Sequence, residues 1–189
     1  MAIPDRVRAT VLERIGRMSF FDRTILMHAS VIGPRFDLYV LAESTRTDEL
    51  RIRIALERAR TLDLVVVDAI ESRRYAFRHA LTRDIVYAEL LALRIRPIHR
   101  RIARALERGP HAAHPLEQLA FHWSAAGDAR RSLKYNELAG DSASALYAFE
   151  DARAFYARAL RCVESSSRAA RRLHEKVRAT IVVRSEGDR

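Results

Sequence analysis

Apolar residues recur at helical spacing along most of the chain. Val7, Val11, Ile15 and Met18 form a first stripe. Pro4-Asp5 ahead of them opens a helix, because a first turn has no use for the N–H that proline lacks. Phe21, Ile25, Leu26 and Ala29 form a second stripe, with Ser19 and Asp22 as its cap pair and Gly33-Pro34 as its stop. Asp37 is placed to cap a short third helix through Leu38 and Leu41. Thr47, followed by Asp48 and Glu49, is placed to cap a fourth through Leu50, Ile54 and Ala59.

The pattern then changes period. Leu64-Val65-Val66-Val67 is a β-branched run too short for a helix. Glu71-Ser72-Arg73-Arg74 reads as a turn, and Tyr75-Ala76-Phe77-Arg78-His79 alternates, so one β-hairpin is expected near 64–79. Tyr75, Phe77 and His79 share its inner parity. Helices resume at about 82–93 and, after Arg96-Pro97, at about 97–108. Three or four helices and then a hairpin is the order of a winged helix, with the hairpin as the wing.

Gly109-Pro110 through Pro115 is a proline-flanked linker. Beyond it Leu116, Leu119, Ala120 and Trp123 make an i, i+3, i+4, i+7 stripe, and Gly127-Asp128 turns the chain. A second turn is expected at Gly140-Asp141, between a helix holding Ser132, Tyr135 and Ala139 and one holding Ala143, Leu146 and Tyr147. Ala152, Phe155, Tyr156, Ala159 and Leu160 follow. Ser165-Ser166-Ser167 precedes a last helix with Leu173 and Val177, and Ser185 to Arg189 reads as a polar tail. Short helices with small residues at their crossings predict degenerate tetratricopeptide-like hairpins. No closing cap is evident, so the native protein is expected to continue. The fold class expected is thus mainly α: a winged-helix domain (1–108), a linker (109–115) and the start of a tetratricopeptide-like array (116–189).

Composition narrows the classes. With 49% hydrophobic and 31% charged residues, the chain has material for a folded core. No run of about 18 apolar residues appears, and no membrane partner is expected. A lone cysteine, Cys162, permits no internal disulfide and reads as a small core residue. A cytoplasmic setting fits it and the lack of an apolar stretch in Met1 to Arg8. The net charge is +10, and every basic residue except Lys134 and Lys176 is an arginine. Most of the excess precedes residue 109, where it would attract a polyanion.

Candidate chemistry is sparse. None of the six glycines belongs to a Gly-x-x-x-x-Gly-Lys pattern, so this chain is expected neither to bind ATP alone nor to be an enzyme. His111 and His114, with His122 beyond, lack a rigid helix to aim them, and no metal site is expected. Arg51, Arg53 and Arg58 lie on the fourth helix, where a DNA-binding winged helix reads its site, and Arg73 and Arg74 lie at the wing. With Arg60 on the same helix, Glu49 and Glu57 diluting the charge and no Asn or Gln for base edges, any nucleic-acid binding is expected to be weak and non-specific. Arg94, Arg96, Arg100, Arg101, Arg104 and Arg108 form a third cluster on the last helix of the first domain.

One stretch carries a resemblance. Phe77-Arg78-His79-Ala80-Leu81-Thr82-Arg83-Asp84-Ile85-Val86-Tyr87, then Leu90-Leu91 and His99-Arg100-Arg101-Ile102-Ala103, resembles the winged-helix region of bacterial STAND regulatory ATPases. These include large LuxR-type transcription regulators and ATPase-linked nucleotide cyclases. Pro4-Asp5-Arg6-Val7, Leu26 to Phe36, Leu119-Ala120-Phe121-His122-Trp123, Ala126-Gly127-Asp128 and Ala139-Gly140-Asp141 fit the same template. In the wider family, which includes plant resistance proteins and apoptotic ATPases, a winged-helix histidine in a Met-His-Asp sequence approaches the β-phosphate of the bound nucleotide. His79, Leu81, Arg83 and Asp84 match by position, while Arg78 and Ala80 replace the methionine and aspartate. The resemblance implies a non-catalytic signal-transduction segment that clamps a nucleotide-binding module in its ADP-bound off state. A protein or small-molecule inducer would act at the repeats, and ATP or ADP would bind only in the longer parent. The alternative is a DNA-binding winged-helix transcription factor with a helical sensor or dimerisation domain.

Overall fold

The computed structural model describes residues 5–68, 73–90, 95–109 and 115–187. Pro4, Glu71, Ser72, Leu91, Arg94, His111 and His114 lie outside the described residues, as does the end of the expected tail. The chain is mainly helical with a small three-stranded antiparallel sheet. It divides into two compact units, residues 1–110 and 111–189.

In the first unit α1 (Asp5–Gly16) and α2 (Phe20–Ile32) lead to β1 (Arg35–Asp37), then α3 (Leu38–Thr45) and α4 (Glu49–Thr61). β2 (Val65–Val67), β3 (Arg74–Phe77), α5 (Ala80–Leu90) and α6 (Arg96–Arg108) follow. Short polar side chains begin α2, α3 and α4. Ser19 Oγ accepts the Asp22 N–H at 3.1 Å and Asp37 Oδ1 the Tyr39 N–H at 2.7 Å. The cap of α4 is Asp48, whose Oδ1 takes the Arg51 N–H at 3.0 Å, and not Thr47, whose hydroxyl donates to the Thr45 carbonyl.

β2 and β3 form the expected hairpin, with Val65 opposite Phe77 and Val67 opposite Tyr75. A third strand extends it: β1 pairs along the other edge of β3, giving the order β1-β3-β2 and setting Phe36 opposite Tyr75. The rings of Phe36 and Tyr75 stack at 6.0 Å, and Phe77 lies 5.7 Å from Phe36. Three residues are too few to show a period-two pattern, so β1 is invisible to hydropathy. This sheet closes over an aliphatic core of Ile25, Leu26, Leu38, Leu41, Ile52, Leu56 and Ile85.

The second unit holds α7 (Leu116–Ala125), α8 (Ala129–Ala145), α9 (Phe149–Leu160) and α10 (Arg168–Gly187), each packed on the next. Asp128 caps α8, following Gly127 at a φ of 73°. The turn expected at Gly140-Asp141 does not occur, because α8 runs through it. Gly140 is there for space: a Cβ would lie 2.4 Å from the Cε1 of Tyr156 on α9. The actual turn is at residues 146–148, where Tyr147 has a φ of 60°. The last helix likewise takes up most of the expected polar tail and runs to Gly187.

Candidate functional site

The stretch that carries the resemblance builds the corner between β3 and α5. The strand ends at Phe77, so His79 lies beyond the pleat. Tyr75 and Phe77 are buried as their parity predicts, but His79 is exposed, which corrects its expected inward direction. Parity holds only while the ladder does. The His79 carbonyl accepts the N–H groups of Thr82 at 3.0 Å and Arg83 at 3.4 Å, so the residue sits where the first turn of α5 closes. Its side chain borders a hollow of about 300 Å³ lined also by Thr10, Val11 and Arg14 of α1 and by Leu81 and Thr82.

Arg83 fixes this corner from behind. Its Nε donates to the Ser30 carbonyl in the last turn of α2 at 2.9 Å, and its guanidinium lies 4.6 Å from the centre of the Tyr87 ring. A carbonyl left without a partner at a helix end is thereby satisfied. Nη1 also pairs with Asp84 at 3.0 Å. Arg83 thus anchors α5 to α2, while the histidine before it faces solvent.

Two buried histidines lie on the neighbouring helices, and sequence reasoning gave neither a role. His28 of α2 is held neutral, its pKa lowered to about 4 by burial and then by Arg101, and its Nδ1 has no hydrogen-bond partner. His99 of α6 is lowered to about 4 by burial and then by Arg83. The signal available was position: both fall on the buried stripe of their helix.

The five arginines of the DNA-reading arrangement have unequal surroundings. The Arg51 guanidinium lies 5.1 Å from the ring centre of Phe21. Arg58 bonds the buried carboxylate of Asp22 at 3.1 Å, and Arg73 bonds Glu49, tying the start of β3 to α4. Arg74 also has an interaction of its own. Arg53 alone of the five has a side chain with no hydrogen bond, ion pair or ring contact among the described residues. Leu50 and Ile54 stand exposed on the outer ridge of α4 (68% and 46%), where a reading helix needs polar groups for base edges.

In the second unit α8 and α10 are joined by charge. Glu137 accepts from Arg172 at 2.6 and 2.8 Å and pairs with Lys176 at 2.8 Å, while Asp141 accepts from Lys176 and from the Tyr156 hydroxyl. The Arg172 hydrogen bond chiefly lowers the Glu137 pKa, and burial with the Asp141 bond raises that of Tyr156. A groove of about 400 Å³ beside this network is lined by Leu133, Lys134, Glu137, Leu138 and Asp141. Cys162 is not a core residue: it lies past the end of α9, half-buried, with its thiol on Ser132 Oγ at 3.3 Å. His122 is buried on α7. Among the described residues no three His, Cys, Asp or Glu side chains gather to hold a metal. Nor is any described helix long and apolar enough to cross a membrane.

No family model, no curated protein and no solved structure matches this chain.

Proposed function

We propose that the chain is a regulatory segment of a larger STAND-type signalling ATPase, with a winged helix over 1–108 and the onset of a tetratricopeptide-like array over 116–189. The order α2-β1-α3-α4-β2-β3, with β1 added beside the hairpin, supports the winged helix. In the second unit, α7 and α9 start 33 residues apart (149 − 116), near the 34-residue tetratricopeptide period. Three-residue turns after α7 and α8 make successive helices antiparallel. The groove beside Glu137 is the place proposed for an inducer, and a cytoplasmic setting is part of the same reading.

The observation that carries the proposal is the exposed His79 on a corner braced by Arg83. A histidine turned into its own core has no reach to a ligand held elsewhere; this one does. Its imidazole would contact the β-phosphate of ADP bound to the nucleotide module of the parent, stabilising the off state. One phosphate hydrogen bond made only in that state biases the equilibrium by roughly 1–3 kcal/mol, about five- to 150-fold. In the full-length protein His79→Ala therefore speeds release of a fluorescent ADP and raises basal activity, and the melting curve of the 189-residue chain stays in place. An unchanged ADP off-rate defeats the assignment. Upstream coding sequence without a Gly-x-x-x-x-Gly-Lys motif defeats the ATPase reading itself. The DNA-reading alternative is weaker, because Arg51, Arg58 and Arg73 of its five arginines are already engaged by Phe21, Asp22 and Glu49.

A further inference from the structure

The strongest unmatched charge in the first unit lies away from α4. α6 carries five arginines and one glutamate in 13 residues. Arg96, Arg100, Arg104 and Arg108 follow one another at i, i+4, i+8 and i+12, all exposed, with Arg101 exposed beside them. Twelve residues of helix set this row along about 18 Å. Like charges at i, i+4 repel, so the helix carries three unfavourable steps. Relief from acidic neighbours is slight: Glu43 reaches Arg108 only at 4.0 Å. The side chains of Arg96, Arg100 and Arg104 make no hydrogen bond, ion pair or ring contact among the described residues. The opposite face, with His99, Ile102, Ala103 and Leu106, is buried, so the row is held rigidly on the unit.

We infer that this row is a sequence-independent binding face for the phosphodiester backbone of duplex nucleic acid. The face holds arginine and Pro97 and no exposed large apolar side chain. A protein partner would favour an apolar or aromatic centre, and a membrane surface would favour an apolar wedge. Single strands favour exposed aromatic rings on which bases stack, and α6 has none. A duplex presents about one negative charge per 1.7 Å of its axis, enough to match the whole row, and the guanidinium fork fits phosphate oxygens. The face differs from the α4 surface on which a winged helix reads bases, and the inference does not depend on the ATPase reading.

Fluorescence anisotropy of labelled 20-base-pair duplexes, titrated with the 189-residue chain from 50 to 200 mM KCl, tests it. Two unrelated DNA sequences should bind within about twofold of each other, and an RNA duplex arm distinguishes the source of the backbone. Four phosphate contacts give a slope of log affinity against log salt of about −3.6. Arg100→Gln/Arg104→Gln should shallow the slope by about 1.8, while Arg100→Lys/Arg104→Lys keeps it. Because the glutamines relieve repulsion, that variant should melt no lower than the parent chain, so loss of binding is not loss of fold. Arg53→Ala/Arg73→Ala should bind as the parent does. The inference is overturned if the glutamine pair leaves the slope unchanged, if Arg53→Ala/Arg73→Ala abolishes binding, or if no duplex binds at 50 mM KCl. It is equally overturned if polyglutamate or phosphatidylserine vesicles bind more tightly than the duplexes through the same arginines.

Discussion

The two units solve the packing of short helices in opposite ways. The first encloses large aliphatic side chains between helices and a three-stranded sheet. The second has no described strand and brings its helices close with small residues. Ala120, Ala139, Ala143, Ala152 and Ala159 are buried at its centre around Trp123, Phe155 and Tyr156, and Gly140 admits the Tyr156 ring. Their buried polar groups differ as well. Ser124, Ser132 and Asn136 bond one another in the second unit, though Asn136 Oδ1 has no partner, whereas in the first the unpaired buried atom is Nδ1 of a titratable ring, His28. The aliphatic unit is therefore sensitive to protons, and the small-residue unit is sensitive to added volume.

The largest effect should come from acid. His28 and His99 have folded pKa values near 4 against an ordinary 6.5, so between those values the unfolded chain binds more protons than the folded one. Stability of the first unit is then complete above about pH 6.5, falls as the pH drops toward 4, and levels off below. The loss is at most roughly 3 kcal/mol per histidine, from 1.36 kcal/mol per pKa unit. Glu137 acts in a lower window: its depressed pKa adds stability to the second unit that is lost only as pH falls below its ordinary value of 4.5. Urea melts at pH 7.5, 5.5 and 4, with NMR titration of the imidazoles, check this. A flat profile from 6.5 to 4, or rings titrating near 6.5, breaks the contrast.

Volume comes next. Gly140→Ala, which on an open helix would stabilise by about 1 kcal/mol, should instead cost roughly 1–3 kcal/mol, because the methyl group meets the Tyr156 ring. Chemical denaturation of the variant decides the sign, and a more stable protein would mean that α8 and α9 are not so close. Asp48→Ala should cost about 1 kcal/mol as loss of an N-cap, against a few tenths for Thr47→Ala. Equal losses would return the cap to Thr47. The smallest effect is expected at the true turn, where Tyr147→Gly removes a left-handed strain from an exposed residue and should raise stability by up to about 1 kcal/mol. A lower melting temperature there would show that the edge contact of Tyr147 with Phe149 outweighs the strain.

The candidate site was legible in part. Hydropathy located the corner between β3 and α5, but nothing in the local sequence reported that Arg83 bonds the end of α2. The direction of His79 was not legible, because strand parity was carried two residues past the last ladder pair, at Phe77. The arginines show the same limit. Their positions on α4, α6 and the hairpin could be read from the chain, but Asp22 lies 36 residues from Arg58 and Glu49 lies 24 from Arg73. No local pattern reports which arginine is already matched and which row is left open.

The sequence by itself determined where the capped helices α2, α3 and α8 begin and where the β-hairpin falls, because those choices rest on groups within about four residues of one another. Ser19, Asp37 and Asp128 present an acceptor to N–H groups two or three positions on, and β-branched Val65 to Val67 favour an extended backbone whatever their surroundings. Tertiary structure alone decided the rest. β1 exists because the far edge of β3 offers it hydrogen bonds, and Gly140 lies inside α8, where its missing Cβ leaves room for the Tyr156 ring. His28 stays neutral because the surrounding core excludes the water that would solvate its charge. Each of these depends on a partner brought close by chain closure, which a reading of neighbouring residues does not contain.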